Sequence, residues 1–234
     1  MRAKDIMTTS VVTVTPDAKV DAIAKLLLDK HVSAVPVVRP DGSIVGIVSD
    51  TDLTCRVAGW PTPHQSKWSM WFQSPVEVAS HIKKAVGQCA ADIMTTSVVT
   101  IHEDMPVREI AELLAKQHLR RVPVVQDGKL IGIVSRADLI SILAIEDAPR
   151  TAPSPADRNI RQRVMQGVRD HNRHGCHKVG AIVLDGVVHL WGVVETPEQR
   201  EASQLIAERV AGVRHVHNHI AALGAVPHDI ASVV

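Results

Sequence analysis

Residues 5–53 read DIMTTSVVTVTPDAKVDAIAKLLLDKHVSAVPVVRPDGSIVGIVSDTDL, and residues 92–139 read DIMTTSVVTIHEDMPVREIAELLAKQHLRRVPVVQDGKLIGIVSRADL. The two stretches are one pattern written twice. Asp5 aligns with Asp92, Val35-Pro36-Val37-Val38 with Val122-Pro123-Val124-Val125, and Gly46-Ile47-Val48-Ser49 with Gly132-Ile133-Val134-Ser135. One copy of a repeat this short does not cover its own apolar face, whereas two copies can pack on each other around a shared core. Such a pairing also creates two related clefts, which are natural places for a ligand.

Composition narrows the class. The chain has 234 residues, a length that allows one or two domains. A hydrophobic share of 45% and a charged share of 22% are those of an ordinary globular protein. With a formal net charge of +1, bulk electrostatics do not mark a nucleic-acid binder. No long apolar run suggests a membrane span. The opening MRAKDIMTTS has no apolar signal core, so a cytoplasmic location is expected. Cys55, Cys89 and Cys176 are too scattered for a disulfide framework and fit a reducing compartment. Aromatic residues make up only 2%, and Tyr is absent, so the core must be built from Val, Ile, Leu and Ala. Cores of that kind suit small sheets covered by helices, an α+β or α/β arrangement.

Within the first repeat, Val11–Val14 reads as a strand. Thr15-Pro16 offers an N-cap followed by a first-turn proline, so a helix is expected to start there. Val20, Ile23, Ala24 and Leu27 give that helix one apolar face. Val35–Val38 and Ile44–Val48 are expected strands around the turn signal Asp41-Gly42. Ser49 is placed to cap a second helix. The order β-α-β-β-α recurs in the second copy, with Asp127-Gly128 at the turn and Ser135 at the cap. The expected divisions are repeat 1 over 1–58, an insert over 59–89 and repeat 2 over 90–145. A Pro-rich linker over 146–156 leads to a small domain over 157–224 and a tail over 225–234.

The insert holds Trp60, Trp68, Trp71 and Phe72. Two readings stand: aromatics packed onto the repeats or a second subunit, or an exposed surface for docking a partner. Pro61 and Pro63 oppose a helix at its start, and 75–86 could form one. In the last domain Ser154-Pro155-Ala156-Asp157 resembles a helix start, and Ile160, Val164 and Val168 form the stripe that follows. Lys178–Leu184 and Val187–Trp191 flank Asp185-Gly186 as a hairpin. Thr196-Pro197-Glu198-Gln199 is a capping box with proline in the first turn. Gly212 can end its helix, and Val213–Ala221 is a last strand. The domain is expected to be αββαβ.

The repeats resemble CBS domains in their tandem form. Asp5-Ile6-Met7-Thr8, Val35-Pro36-Val37-Val38 and Gly46-Ile47-Val48-Ser49-Asp50-Thr51-Asp52 carry the likeness in the first copy. Asp92-Ile93-Met94-Thr95, Val122-Pro123-Val124-Val125 and Gly132-Ile133-Val134-Ser135-Arg136-Ala137-Asp138 carry it in the second. The C-terminal region resembles a BON domain through Asp185-Gly186-Val187-Val188-His189-Leu190-Trp191-Gly192 and Gly212-Val213-Arg214-His215-Val216. The resemblance implies two CBS repeats packed as a pseudo-twofold pair, a small BON domain behind them, and a homodimer through the CBS pair.

The Gly-h-h-Ser-x-x-Asp segments are the leading site candidates. Ser49 and Ser135 stand at helix N-termini, which favour anions. Asp52 and Asp138, three residues on, can each accept two hydrogen bonds from a ribose diol. The competing reading is a plain capping box. The CBS resemblance favours the diol, because CBS pairs bind adenosine nucleotides with the residue at this position on the ribose. It also places Thr8, Val11, Thr95 and Val98 around the base, with Val35, Pro36, Val122 and Pro123 beside them. Pro36 and Pro123 also read simply as shaping the strands. Arg120, Arg121 and Arg136 are candidates for ligand phosphates, or equally a solvated surface. At the matching positions the first repeat has Ser33, Ala34 and Asp50, and Asp50 would repel a polyphosphate.

His171, His174, Cys176 and His177 cluster near a helix end, and His215, His217 and His219 alternate along a strand. Metal binding and a polar sheet face are both open readings there. No elbow, P-loop or dinucleotide fingerprint builds a catalytic constellation. The expected function is therefore a non-enzymatic sensor of AMP, ADP, ATP or a related adenosyl ligand, with no required cofactor, relaying to the BON domain. The alternative is a ligand-free scaffold whose BON domain engages phospholipid or protein.

Overall fold

A computed structural model describes residues 1–57, 86–145, 153–171 and 179–223. The insert aromatics Trp60, Trp68, Trp71 and Phe72, all but the last residue of the expected helix over 75–86, most of the linker, and His174, Cys176 and His177 lie outside the described residues. The first repeat opens with α1 (Ala3–Ile6) and continues through α2 (Val20–Asp29), β1 (Ala34–Val38), β2 (Ile44–Ser49) and α3 (Asp50–Val57). The second repeat opens with α4 (Ala90–Ile93) and continues through β3 (Ile101–His102), α5 (Val107–Lys116), β4 (Arg121–Gln126), β5 (Lys129–Ser135) and α6 (Arg136–Leu143). The C-terminal domain is α7 (Pro155–His171), β6 (Gly180–Leu184), β7 (Val187–Val194), α8 (Pro197–Glu208) and β8 (His215–Ala222). The mixed α+β class and the αββαβ order of the last domain are as the sequence implies.

Two elements depart from expectation in the first repeat. The strand expected over Val11–Val14 contracts to one parallel bridge between Val14 and Val37. The helix expected at Thr15-Pro16 starts instead at Val20. Main-chain groups of residues 16–20 are engaged elsewhere: Pro16 O accepts from Ala91 N (2.9 Å), Ala18 O from Ala90 N (2.8 Å), and Val20 N donates to Gln88 O (3.2 Å). Tertiary pairing with α4 overrides the local cap. From Val20 onward the periodicity holds, and Val20, Ile23 and Leu27 are buried.

Two of the three Asp-Gly turns take the two-residue primed form, while at Asp41-Gly42 only Gly42 has positive φ, +86°. Asp127 and Gly128 have φ of +50° and +76°, and Asp185 and Gly186 have +49° and +74°. Positive φ at both central residues marks the primed turn whose twist matches the flanking strands.

The described contacts divide into two compact units. One holds 11–100 and 125–131. The other holds 1–10, 101–124 and the chain from Gly132 onward. Each unit therefore joins the core of one repeat to the lead-in segment of the other. In the first, Thr95 pairs with Ile47 (2.9 and 3.0 Å), and Ala90 and Ile93 join the core of Val20, Ile23, Leu27, Val35, Val37 and Val48. In the second, Thr8 and Ile133 exchange two bonds of 2.9 Å. A glycine makes each crossing possible: a Cβ at Gly46 would strike the Met94 side chain, and one at Gly132 would stand 2.6 Å from Met7 Sδ and 3.1 Å from Thr8 O.

The C-terminal domain packs α7 and α8 on one face of a three-stranded sheet ordered β6-β7-β8, with β7 and β8 parallel. Ile160, Val164 and Val168 of α7 meet Val183, Val188, Leu190, Val216 and Ile220. On the opposite face Ile182 and Leu184 bury against Ile145 of the second repeat's C-terminal end, with Met1, Ile142 and Trp191 alongside. That face also carries a ladder of rings: His189 stacks on His217 at 4.8 Å, and Trp191 on His219 at 4.0 Å. His189 is buried, and its Nδ1 and the Trp191 Nε1 have no hydrogen-bond partner among the described residues.

Two measurements follow from this packing. Gly132→Ala should lower the urea-unfolding free energy by about 1–3 kcal/mol, the usual cost of forcing extra volume into a packed site. Adding Met7→Ala should recover part of that loss, because the side chain the new Cβ meets is then gone, and strict additivity in the double-mutant cycle would refute the crossing. The second concerns acid. Loss of solvent, and then the neighbouring His217, His219 and His215, lowers the His189 pKa to about 4. An unfolded histidine titrates near ~6.5. Below that value the unfolded chain takes up a proton that the folded one refuses, so stability from this site is complete above pH ~6.5 and falls toward pH ~4. The calorimetric melting temperature should decline through that window, and His189→Gln should flatten the decline.

Candidate functional site

Both Ser-x-x-Asp segments close as capping boxes. Asp52 Oδ2 accepts from Ser49 N and Oγ at 2.8 Å each. Asp138 Oδ2 accepts from Ser135 N and Oγ at 2.7 Å each, and Asp138 N donates back to Ser135 Oγ at 3.4 Å. The box orders the first helical turn and fixes the carboxylate at the junction of strand and helix. It occupies one oxygen only. In Asp138 the second oxygen makes no hydrogen bond among the described residues.

The same carboxylate geometry recurs at Asp157 and Asp5, where the second oxygen is put to other uses. Asp157 Oδ2 accepts from Ser154 N (2.9 Å) and Oγ (2.8 Å), while its Oδ1 takes the Gly186 N–H at 2.8 Å. Asp5 Oδ2 takes the Arg2 N–H at 2.8 Å, and its Oδ1 binds Arg158 Nε at 2.7 Å with the Asp5 side chain wholly buried. Those two are structural. Asp138 retains an acceptor, and burial raises its pKa against the lowering pull of the Ser135 bonds and the Arg161 charge.

The exchanged lead-in segments decide which threonine stands at which box. Thr95 lies on Ile47, two residues before Ser49, and Thr8 lies on Ile133, two residues before Ser135. Each threonine thus stands beside the box of the other repeat. Val11 and Val98 are half-buried, and Val35, Pro36, Val122 and Pro123 are buried in their strands. Pro36 O accepts from Val14 N at 3.0 Å, so the proline tethers the start of its repeat.

Of the three candidate arginines, Arg120 is exposed and Arg121 half-buried. Arg136 is held to the main chain: its Nε donates to Leu119 O at 2.8 Å and its Nη2 to Leu114 O at 3.4 Å, at the C-terminal end of α5. Asp50, the first-repeat counterpart, accepts from Thr51 N at 2.7 Å.

The arginines that do converge on the first repeat's lead-in segment, where it crosses onto the second repeat, come from α7 and were not singled out by sequence reasoning. Arg158 grips Asp5, Arg161 donates through Nη2 to Met7 O and through Nε to Ala181 O, and Arg169 reaches Thr9 Oγ1 at 3.3 Å. Their spacing on α7 is that of a solvated helix face, and no local signal separates the two cases. Loss of solvent draws the Arg161 pKa down to about 10, against the opposing pull of Asp138 and Asp5, so it stays a cation at neutral pH. Among the described residues, no group of three His, Cys, Asp or Glu is placed to hold a metal ion. No described helix is long and apolar enough to cross a membrane.

Comparison with known proteins agrees with this arrangement. The CBS-domain family matches residues 3–59 and 90–145, and the BON-domain family matches residues 156–224. The uncharacterized protein MJ1426 of Methanocaldococcus jannaschii is 32% identical over 158 residues, 61% of this chain and 91% of its own length. The chloroplastic CBS domain-containing protein CBSX2 of Arabidopsis thaliana is 33% identical over 134 residues, 54% of this chain and 56% of its own length. The crystal structure of CBSX2 in complex with AMP superposes with a TM-score of 0.54 at 32% identity, over 62% of this chain and 98% of that one. With both repeats, their glycine crossings and their Ser-x-x-Asp boxes accounted for, this chain belongs to the CBS-domain family and carries a BON domain behind its CBS pair.

Proposed function

We propose that the chain is a non-enzymatic regulatory protein that binds an adenosine nucleotide or a related adenosyl compound at its CBS pair and relays that binding to the BON domain. The observation that carries the reading is the Asp138 carboxylate, fixed through one oxygen and left with an open acceptor on the other. A vicinal ribose diol supplies the donors such an acceptor lacks. Relatedness to CBSX2, which is known in complex with AMP, points to the same ligand class. The Ser135–Asp138 segment and the BON domain share one compact unit, and α7 is tied to the lead-in segment beside that box through the buried Asp5 carboxylate and Arg158, so a change at one bears on the other. A switch of this type requires the ligand to bind one arrangement more tightly than another. The protein acts as a homodimer through its CBS pair, and its BON domain engages a protein or phospholipid partner.

The test is a thermal-shift and calorimetric panel of AMP, ADP, ATP and S-adenosylmethionine on the full chain. A ligand present at 100 times its Kd stabilises by about 2.7 kcal/mol, a shift of a few degrees in Tm. Asp52→Asn and Asp138→Asn keep an oxygen for the cap and put an amide donor in place of the other carboxylate oxygen. Each should weaken binding at its own repeat by roughly tenfold, the worth of one hydrogen bond to a charged group. Absence of any shift or heat across the panel would remove the sensor reading and leave the scaffold in its place.

A further inference from the structure

Arg161 belongs to the BON helix α7, yet it is anchored on both domains at once. Its Nε donates to Ala181 O on the BON sheet at 2.7 Å, and its Nη2 donates to Met7 O on the lead-in segment that crosses β5. The next residue, Thr8, is bonded to Ile133, and Ser135 of the capping box follows two positions on. The guanidinium is close enough to Asp138 for the two charges to interact. Its Nη1 makes no hydrogen bond among the described residues, and neither does the second oxygen of Asp138. A cationic donor and an anionic acceptor therefore stand near one another in a partly buried place, each with unused capacity. The pair matches a molecule carrying a diol at one end and an anionic oxygen at the other.

We propose that Arg161 is a specificity-determining residue of the second repeat's ligand site, donating to a phosphate of the bound nucleotide while Asp138 takes the ribose. The assignment rests on the adenosyl-ligand reading above and adds two things to it. Charge selects the ligand: the site favours a phosphorylated adenosyl compound over a neutral or sulfonium one. Occupancy is also tied to the seating of the BON domain, because the side chain that meets the phosphate is fixed to Ala181 O. Arg136, the arginine nearest in sequence to the box, is committed to Leu119 O and Leu114 O and does not supply this contact.

The decisive experiment titrates AMP and the neutral 5′-methylthioadenosine into the full chain by calorimetry, in an Asp52→Asn background that weakens the first repeat. Arg161→Gln should weaken AMP by roughly tenfold or more, the worth of a charge-assisted hydrogen bond, and change methylthioadenosine by less than about threefold. Arg161→Lys, which keeps the cation, should retain preference for AMP and guards against a folding defect in the glutamine variant. Arg158→Gln removes the neighbouring ion pair and should leave the ratio of the two affinities unchanged. Hydrogen exchange should show AMP protecting 155–171 in the parent and not in Arg161→Gln. Parallel loss of both ligands, or an unaltered ratio, overturns the Arg161 assignment while leaving the sensor reading intact. Uptake of neither compound by the wild-type chain defeats both.

Discussion

Two methionines laid across two glycines tie each repeat's hairpin to the lead-in segment of the other. Met7 crosses Gly132 and Met94 crosses Gly46, and at neither point is there room for a Cβ. Each crossing brings a short helix and a threonine to the hairpin of the opposite repeat, and each hairpin ends in a capping serine. The repeat motif is thus a reciprocal clasp as much as a pair of similar folds. Its Asp-Ile-Met-Thr half and its Gly-h-h-Ser half are written in the same copy and used in different ones.

This exchange explains how much of the fold was legible. The hairpins, the capping serines, the αββαβ order and the apolar stripes of α2 and α7 follow from turn chemistry and periodicity, which act over a few residues. The four-residue helices α1 and α4 carry no periodic signal and are fixed by Asp5 and Asp92 accepting the N–H groups of Arg2 and Cys89. The late start of α2 has the same origin, since the carbonyls of Pro16 and Ala18 are taken by Ala91 and Ala90. Where the sequence misled, a partner distant in the chain had claimed the local groups.

The candidate site shows the same division. The Ser-x-x-Asp boxes were readable because the motif encodes its own geometry. Their accessibility was not, since Asp5 and Asp157 make the same cap and spend their second oxygen on Arg158 and Gly186. Only the three-dimensional surroundings separate an aspartate that finishes a helix from one left with an acceptor to offer. Arg158, Arg161 and Arg169 were invisible for the complementary reason: an arginine that docks a domain and one that faces water look alike on a helical wheel.

The join between Asp5 and Arg158 spans 153 positions of sequence. During synthesis the first of these residues leaves the ribosome long before the second exists. At the usual translation rate the interval is on the order of ten seconds, far longer than a small domain takes to collapse. Throughout that wait a carboxylate destined for complete burial stands without its cation, even after Glu103, Met105 and Ile133 of the second repeat are made and can seat the segment that bears it. The ion pair that ties this segment to the BON domain therefore closes only after α7 has been made, and it joins parts of the chain that fold at different times.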